Sequence, residues 1–260
     1  MQQPSTLRVA TYNIHKGVQG IGPARRLEIH NLGHAVEQLN ADIICLQEVR
    51  RFNRKAALRF THWPDVPQAD FLAPEGYTAV YETNAITRHG EHGNALLTRW
   101  PVLRKTHSDI SDHRFEQRGL LHVLLDVAGT PVHVIVVHLG LIKGSRRRQV
   151  ARLRQFIEHE IAPGERLIVA GDFNDWGARM REAMNSMGLC DDTGVIKSKT
   201  LYFPFPARIL TYPSRLPVTQ LDFIYNRGLR ALSSAAPHGS IWARMSDHLP
   251  LVTDFSFHTT

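Results

Sequence analysis

Short apolar runs that stop at a carboxylate are the feature that most limits how this chain can fold. The run Leu167-Ile168-Val169-Ala170 leads into Gly171-Asp172-Phe173-Asn174, and residues 42–47 lead in the same way to Glu48. Such runs predict buried strands, and residues two positions apart project to the same side of a strand. Asp172 and Asn174 would then lie side by side at a strand end. Alone, the tetrapeptide is better explained as a turn in which Asp and Asn form hydrogen bonds to nearby backbone groups. The choice between a turn and a functional site therefore depends on the rest of the chain.

The spacing of the other apolar residues predicts further strands mixed with amphipathic helices. We expect strands at residues 7–13, 42–47, 77–82, 94–98, 119–127, 132–138, 221–225 and 249–255, and helices at 27–39, 145–161 and 179–187. In the second helix, Val150, Leu153, Ile157 and Ile161 share one face. This mixture predicts an α/β (α+β) layered sandwich. Because no stretch looks like a linker, we expect a single domain over residues 1–260.

The composition indicates a globular protein with an anionic partner. Of the 260 residues, 43% are hydrophobic, and the formal net charge is +7. The positive charge points to nucleic acid, a phospholipid surface or a phosphorylated small molecule. The first six residues form neither a basic leader nor an apolar segment, and no apolar run is long enough to cross a bilayer. We therefore expect a cytoplasmic monomer.

Two segments without a clear period are candidates for substrate selection. Residues 50–76 contain several arginines and no regular pattern, and residues 203–217 form a proline-rich stretch. We expect both to be long loops, which commonly carry specificity beside a rigid site. The run Arg146-Arg147-Arg148 is more readily explained as the solvated start of a helix than as a phosphate site, although cations there invite an anion.

Polar side chains stand at or just beyond the ends of the predicted strands. They are Asn13, Glu48, His138, Asp172, Asn174, Asp222 and the pair Asp247-His248. Hard oxygen ligands of this kind suit Mg²⁺ or Mn²⁺, and clustered Cys or His residues for a closed zinc site are lacking. Carboxylates beside imidazoles also supply the acid, the base and the orienting group of a hydrolytic reaction.

Six short motifs, taken in order, resemble the endonuclease/exonuclease/phosphatase superfamily, which has the deoxyribonuclease-I-like fold. They are Thr11-Tyr12-Asn13, Leu46-Gln47-Glu48, Val137-His138-Leu139, Gly171-Asp172-Phe173-Asn174, Leu221-Asp222-Phe223-Ile224 and Ser246-Asp247-His248. Each motif is weak, but the ordered set spans nearly the whole chain. The resemblance implies a four-layer αββα sandwich of two packed mixed sheets flanked by helices. It also implies hydrolysis of phosphoesters that depends on a divalent metal, Mg²⁺ or Mn²⁺.

The resemblance also implies roles for individual residues. Glu48 would be the main metal-binding carboxylate, and Asn13 and Asp247 would complete or support the metal site. Asp172 would orient the attacking water or transfer a proton, and Asp222 would hold His248 so that its other nitrogen acts on the water or the phosphate.

Three further residues would contact the substrate. Asn174 and His138 would donate to phosphate oxygens, His138 alternatively to the leaving group. Arg118 resembles a phosphate-contacting arginine of some members. Together with the metal, such donors would neutralise the charge of the transition state.

The substrate is less constrained than the reaction. Glu48 is followed by Val49-Arg50, whereas abasic-site endonucleases usually have Thr-Lys at this point. We expect a phosphodiesterase that acts on nucleic acid, a phospholipid headgroup or a small phosphodiester, with a phosphomonoester as a further option. Two alternatives remain: a non-catalytic module on the same fold that binds nucleic acid or anionic membrane, and a two-metal calcineurin-like phosphoesterase. The calcineurin-like alternative is less favoured, because this chain lacks the early Asp-x-His segment and the Gly-Asn-His-Asp/Glu segment that such enzymes contain.

Overall fold

Two mixed β-sheets form the centre of the protein in a computed structural model that describes residues 5–176, 180–191 and 208–257. The larger sheet has six strands, in the spatial order β12 (Arg230–Ala235), β13 (Leu251–Ser256), β1 (Thr6–Asn13), β4 (Ile43–Asn53), β6 (Gly90–Thr98) and β5 (Thr78–Thr87). The second sheet has five, in the order β11 (Asp222–Arg227), β10 (Arg166–Asp172), β9 (Thr130–His138), β8 (Gly119–Val127) and β7 (Val102–Asp109). A small hairpin joins β2 (Val18–Gln19) to β3 (Arg26–Leu27).

Helices cover the outer faces of the two sheets. They are α1 (Ile29–Leu39), α2 (Arg54–Arg59), α3 (Gln68–Leu72), α4 (Lys143–Glu160), α5 (Arg181–Asn185) and α6 (Trp242–Met245), and short 3-10 helices lie at His15–Gly17 and Gly22–Ala24. Helices α1, α3 and α6 pack on the six-stranded sheet. Helices α4 and α5 pack on the five-stranded sheet.

Three apolar layers hold these four layers of structure together. Because side chains alternate along a strand, Val9 faces the layer between the sheets while its neighbour Ala10 faces α1. On the other side, Leu153 and Ile157 of α4 pack against the outer face of the five-stranded sheet. This αββα sandwich is the architecture that the sequence predicts, and the expected apolar face of α4 is confirmed.

Several predicted boundaries are wrong. Strand β4 does not stop before Glu48 but continues to Asn53, and residues 50–76 contain the end of β4 together with α2 and α3, so they are not one irregular loop. The helix expected at 179–187 has only Arg181–Asn185 in helical conformation among its described residues. Strands β7 and β12 were not expected. Their burial alternates without an apolar run, so the sequence pattern was too polar to reveal them.

Candidate active site

The register of the five-stranded sheet places three predicted site residues in one row. Asp172 at the end of β10 is the partner of His138 on the parallel strand β9 and of Asp222 on the antiparallel strand β11. Gly171 allows this close pairing, because an added Cβ would lie 1.9 Å from the carbonyl oxygen of Val137. The three polar side chains therefore come from rigid, adjacent backbone positions, as their strand-end locations predict.

Asn13 connects this row to the six-stranded sheet. Its Nδ2 donates to Oδ2 of Asp172 at 3.0 Å, and the backbone N–H of Asn174 donates to Oδ1 of the same carboxylate at 2.9 Å. The side-chain amide of Asn174, which has a left-handed backbone at φ 48°, donates to the carbonyl of Leu139 at 2.9 Å. Both oxygens of Asp172 are thus held in place, and Asn174 stands beside Asp172 as predicted.

His248 lies between two buried carboxylates. Its Nδ1 is 2.8 Å from Oδ2 of Asp222, and its Nε2 is 3.6 Å from Oδ2 of Asp172. Burial lowers the pKa of His248, but the attraction of Asp222 and Asp172 outweighs burial and raises its pKa to about 10. Burial also raises the pKa of Asp172, against the opposing attraction of the imidazolium. The arrangement can therefore hold and move a proton between Nε2 and a group placed next to Asp172.

His138 is the second imidazole of the site. Its Nε2 lies 3.5 Å from Oδ2 of Asp172, which is the oxygen that His248 also faces. Burial, reinforced by the positive charge of Arg118, lowers the pKa of His138 well below its usual value. The two imidazoles of the site therefore differ: His138 is held neutral while His248 is held charged. A neutral His138 can still donate one N–H to an oxygen.

Glu48 enters the site through a β-bulge in β4. Leu46 pairs with Ala95 and Val49 pairs with Gly93, so two residues of β4 oppose one residue of β6. Glu48 has φ 58°, which is rare for a residue with a side chain. A bulge of this kind re-aims a side chain without ending the strand, which is why the sequence prediction misjudged the end of β4; the role of Glu48 as a metal ligand stays a prediction.

The carboxylate of Glu48 is ionised and faces a cation. Lys16 Nζ lies 2.5 Å from its Oε2. Burial raises the pKa of Glu48, but the charge of Lys16 and its hydrogen bond to the carboxylate outweigh burial and hold the pKa well below its usual range. Lys16 belongs to the sequence Asn13-Ile14-His15-Lys16, yet the sequence patterns did not assign it to the site. Its location directly after the first motif was the available signal.

Asp247 is tied to the first strand by its neighbour. Ser246 Oγ donates to the carbonyl of Asn13 at 2.6 Å, and Asp247 Oδ1 lies 3.3 Å from Nδ1 of His15. The side chain of Asp247 is 40% exposed, so its carboxylate remains accessible from solvent. Asn13 and Asp247 therefore lie at the same end of the sandwich, linked through Ser246.

Arg118 lies beside His138 with one donor unused. Its Nη1 donates to the carbonyl of Gln117 at 3.3 Å and its Nη2 lies 3.5 Å from Oε1 of Glu116, while its buried Nε has no hydrogen-bond partner among the described residues. Arg118 is thus near the row of predicted catalytic residues. Its assignment to a phosphate remains a prediction.

Two aromatic side chains that the sequence did not single out cover His248. The ring of Tyr212 lies 4.9 Å from the imidazole of His248, and Trp176 lies edge-on to Tyr212 at 5.7 Å. Tyr212 belongs to the proline-rich stretch 203–217, of which residues 203–207 lie outside the described part of the chain. Tyr212 thus brings this stretch into contact with His248, and its role in substrate selection stays a prediction.

The arginine run at the start of α4 is largely used within the protein. Arg146 is buried and its Nη1 donates to the carbonyls of Gly140 and Leu141. Arg148 is paired with Asp112, with Nε 2.5 Å from Oδ1. These contacts support the structural explanation of the run over the phosphate-site alternative.

One group of side chains has the spacing of a metal site. Among the described residues, Asp172, Asp222 and His248 each have one potential ligand atom within 4.8 Å of those of the other two. These atoms already contact each other through the 2.8 Å bond of His248 to Asp222. Glu48, Asn13 and Asp247, the predicted metal ligands, present oxygen atoms from separate loops and strand ends.

Comparison with known proteins identifies the family. The family model described as "Endonuclease/Exonuclease/phosphatase family" matches residues 10–248. The chain belongs to this family. Its members are phosphoester hydrolases that typically depend on a divalent metal, and the match is inconsistent with the calcineurin-like alternative.

Relatives agree with this membership over nearly their whole length. The Escherichia coli K12 protein YbhP is 35% identical over 252 residues, which are 96% of each chain. The catalytic domain of human Nocturnin with bound sulfate superposes with a TM-score of 0.72 at 22% identity, covering 97% of this chain and 94% of that domain. A mannosyl-6-phosphatase from Bacteroides thetaiotaomicron gives a TM-score of 0.72 at 20% identity, covering 96% of this chain and 100% of that protein. At these identities the two structures support the fold alone.

The structure also bears on membrane association. Across residues 5–176, 180–191 and 208–257, no helix combines the length and apolar character needed to cross a membrane.

Proposed function

We propose that the protein is a phosphodiesterase dependent on Mg²⁺ or Mn²⁺. The observation that carries this proposal is the buried chain of contacts from Asp222 through His248 to Asp172, with His138 on the same carboxylate oxygen. Such a chain provides a proton donor and acceptor around one point at the end of a rigid sheet. The positive net charge of the protein favours a substrate that is itself an anion.

His248 would exchange the proton during the reaction. Asp222 bonds its Nδ1 and so fixes the orientation in which Nε2 faces Asp172. Because this imidazole is held protonated, its Nε2–H is suited to donate to an oxygen of the phosphoester. Asp172 would orient the attacking water or accept its proton, and its position is fixed by Asn13 and the backbone of Asn174.

Asn174, His138 and Arg118 would donate to the non-bridging oxygens of the phosphate. His138 is neutral and can offer one N–H, and Arg118 has a free buried Nε–H. Donors placed in advance around the phosphate stabilise the charge that develops in the transition state.

The donor set fits a divalent metal held by Glu48 with Asn13 and Asp247. Glu48 is ionised because, despite burial, the ammonium group of Lys16 holds its pKa well below its usual range, and the ionised carboxylate is the form that binds a metal. Two carboxylates and one carboxamide are oxygen ligands that suit Mg²⁺ or Mn²⁺. When bound, the metal would supply positive charge to the phosphate oxygens and the attacking water. We assign Asp172, Asp222 and His248 to proton transfer instead, because a hydrogen bond already joins His248 to Asp222.

The test is hydrolysis of bis(p-nitrophenyl) phosphate by the purified protein with Mg²⁺ or Mn²⁺. We expect activity that disappears with chelator and in Glu48→Ala and His248→Ala, whereas the surface variants Glu37→Ala and His159→Ala keep it, because those side chains are exposed. Activity retained by both site variants would refute the assigned roles. If the protein binds DNA or anionic vesicles tightly but hydrolyses no phosphoester with any divalent metal, the non-catalytic alternative is correct.

A further inference from the structure

A basic cleft opens beside Glu48 on the outer side of the predicted catalytic residues. It has a volume of about 270 Å³, close to the lower end of ligand pockets, which is about 300 Å³. Its walls come from the loop after β1, the end of β4, helix α2 and the β5–β6 turn. The lining residues that carry or can carry positive charge are His15, Lys16, Arg25, Arg50, Lys55, Arg59 and His89.

Lys16 and His15 pair with Glu48 and Asp247 at the edge of the cleft, but its other basic side chains form no ion pair with the described residues. None of its lining residues is Asp or Glu. In the described residues, neither Arg25 nor Lys55 forms an ion pair. Other arginines of this protein do have carboxylate partners, for example Arg8 with Asp254 at 2.7 Å and Arg181 with Asp191 at 2.7 Å. Concentrated charge of one sign in a concave surface is what attracts an anion of the opposite sign.

Two cleft arginines are oriented by contacts with aromatic rings and backbone carbonyls. The guanidinium of Arg50 lies 5.7 Å from the centre of the Trp63 ring. Arg59 lies 5.4 Å from the Phe60 ring, and its Nη2 donates to the carbonyls of Gly22 and Pro23 at 2.8 and 3.1 Å. Aromatic and carbonyl contacts orient a guanidinium without neutralising it. Both side chains are therefore held in place with charge available for an anion.

The cleft is continuous with the candidate active site. Lys16 lines the cleft and its Nζ lies 2.5 Å from Oε2 of Glu48. Arg50 follows Glu48 by two positions on the same strand and also lines the cleft. A ligand that occupies the cleft would thus approach the phosphate site from the side of Glu48.

Another basic depression of the described surface has carboxylates in its wall. It lies between α4 and α5 and is lined by Lys143, Arg147 and Arg154, but Asp175 and Glu182 also line it. Carboxylates in the wall offset the positive charge. The cleft beside Glu48 is therefore the stronger anion site.

We propose that this cleft binds a second phosphate group of the substrate, one that is not hydrolysed. The proposal rests on the proposed function and narrows its substrate to phosphoesters that carry a further phosphate near the scissile one. Such a phosphate occurs in oligonucleotides and nucleoside bisphosphates, and also in phosphorylated sugars. Arg25, Arg50 and Lys55 would provide charge-assisted contacts to its oxygens.

Binding without turnover tests the cleft independently of catalysis. Calorimetric titrations in chelator would compare thymidine 3′,5′-bisphosphate, thymidine 5′-monophosphate and deoxyribose 3,5-bisphosphate. We expect the nucleoside bisphosphate to bind about tenfold or more tightly than the monophosphate, since one charge-assisted contact is worth at least that factor. Equal affinity for the two thymidine ligands would refute the proposal. Comparison with the base-free bisphosphate distinguishes a nucleotide source of the second phosphate from a sugar-phosphate source.

Two double variants with the same change in net charge distinguish the effect of the cleft charges on binding from the effect of the net charge of the protein. Arg25→Gln combined with Lys55→Gln removes two cleft charges, and the control Lys105→Gln combined with Arg230→Gln removes two exposed charges from β7 and β12. We expect the cleft variant to lose the preference for the bisphosphate while its affinity for the monophosphate is unchanged, and the control to keep both affinities. The same loss in both variants would show a general charge effect and overturn the proposal.

Kinetics then connect the cleft to the reaction. The p-nitrophenyl ester of thymidine 5′-phosphate would be compared with the same ester bearing a 3′-phosphate. We expect a higher kcat/KM for the second ester, lost in the cleft variant through KM, with hydrolysis of the first ester unchanged. No hydrolysis of either ester, together with a retained binding preference, would refute the proposed function but not the cleft.

Discussion

Because two buried histidines lie together on the five-stranded sheet, the free energy of unfolding of the protein should fall in mild acid. His122 of β8 and His133 of β9 lie with stacked rings, and Nε2 of His122 is 2.9 Å from Nδ1 of His133. His133 Nε2 faces Oε2 of Glu165 at 3.4 Å, so we assign the His133 proton to this nitrogen. His122 Nε2–H then donates to His133, and His122 Nδ1 is left buried without a partner.

A proton added to His122 would therefore enter a buried place without an acceptor. Burial is the main cause that lowers the pKa of His122 to about 4, from an unfolded value of about 6.5. The unfolded chain binds this proton before the folded chain does, so stability is unaffected above pH 7 and falls as the pH drops from about 6.5 to about 4. The full loss is about 3 kcal/mol, of which about 2 kcal/mol appears between pH 7 and pH 5.

The variant His122→Gln removes this titration and keeps a donor for His133. Free energies of unfolding from urea titrations at pH 7, 6 and 5 would be compared for the unmodified protein and the variant. We expect the unmodified protein to lose about 2 kcal/mol more than the variant between pH 7 and pH 5. His159→Gln on α4 is the control, because His159 is exposed. Parallel pH profiles for the unmodified protein and His122→Gln would refute the assignment.

Three further predictions concern the site. Asp222→Asn should reduce kcat by about 10²–10⁴-fold with little change in KM, because it loosens the orientation and charge of His248; an unchanged kcat would contradict the proton-transfer role. Glu48→Gln should weaken Mn²⁺ binding, measured by calorimetry, by about tenfold or more, and equal affinity would exclude Glu48 as a ligand. Gly171→Ala should destabilise the protein by about 3 kcal/mol or more in urea unfolding, since its Cβ would meet the Val137 carbonyl at 1.9 Å; a smaller loss would mean that the strands can separate.

The sequence could predict polar side chains at the strand ends because strand geometry is local. Once the run before Asp172 is recognised as a buried strand, its end and the residues that face it follow from pairing with neighbouring strands. His138 and Asp222 end or begin strands of their own, and their alignment with Asp172 follows once the order and direction of the neighbouring strands are known. Ordered motifs then identified the family and the αββα architecture.

Other parts depended on contacts that no local pattern contains. Strand β7 is an edge strand with a polar, alternating sequence, so its identity comes from pairing with β8. The ring of Tyr212 reaches His248 only through the folding of a proline-rich segment. The cleft brings together residues from four separate segments, and composition indicated only that an anionic partner exists. Its location is a property of the tertiary structure.

The bulge in β4 is a local feature of one strand that affects both the candidate site and the cleft. A regular strand would alternate its side chains strictly, but the extra residue between Leu46 and Val49 resets the alternation at Glu48. Glu48 is one of the two bulge residues, and Arg50 lies two positions further along the strand. One local distortion therefore places a carboxylate in the candidate metal site and an arginine in the cleft. Removing the bulge would shift both residues together, so the proposed phosphate cleft and the proposed metal site depend on the same backbone feature.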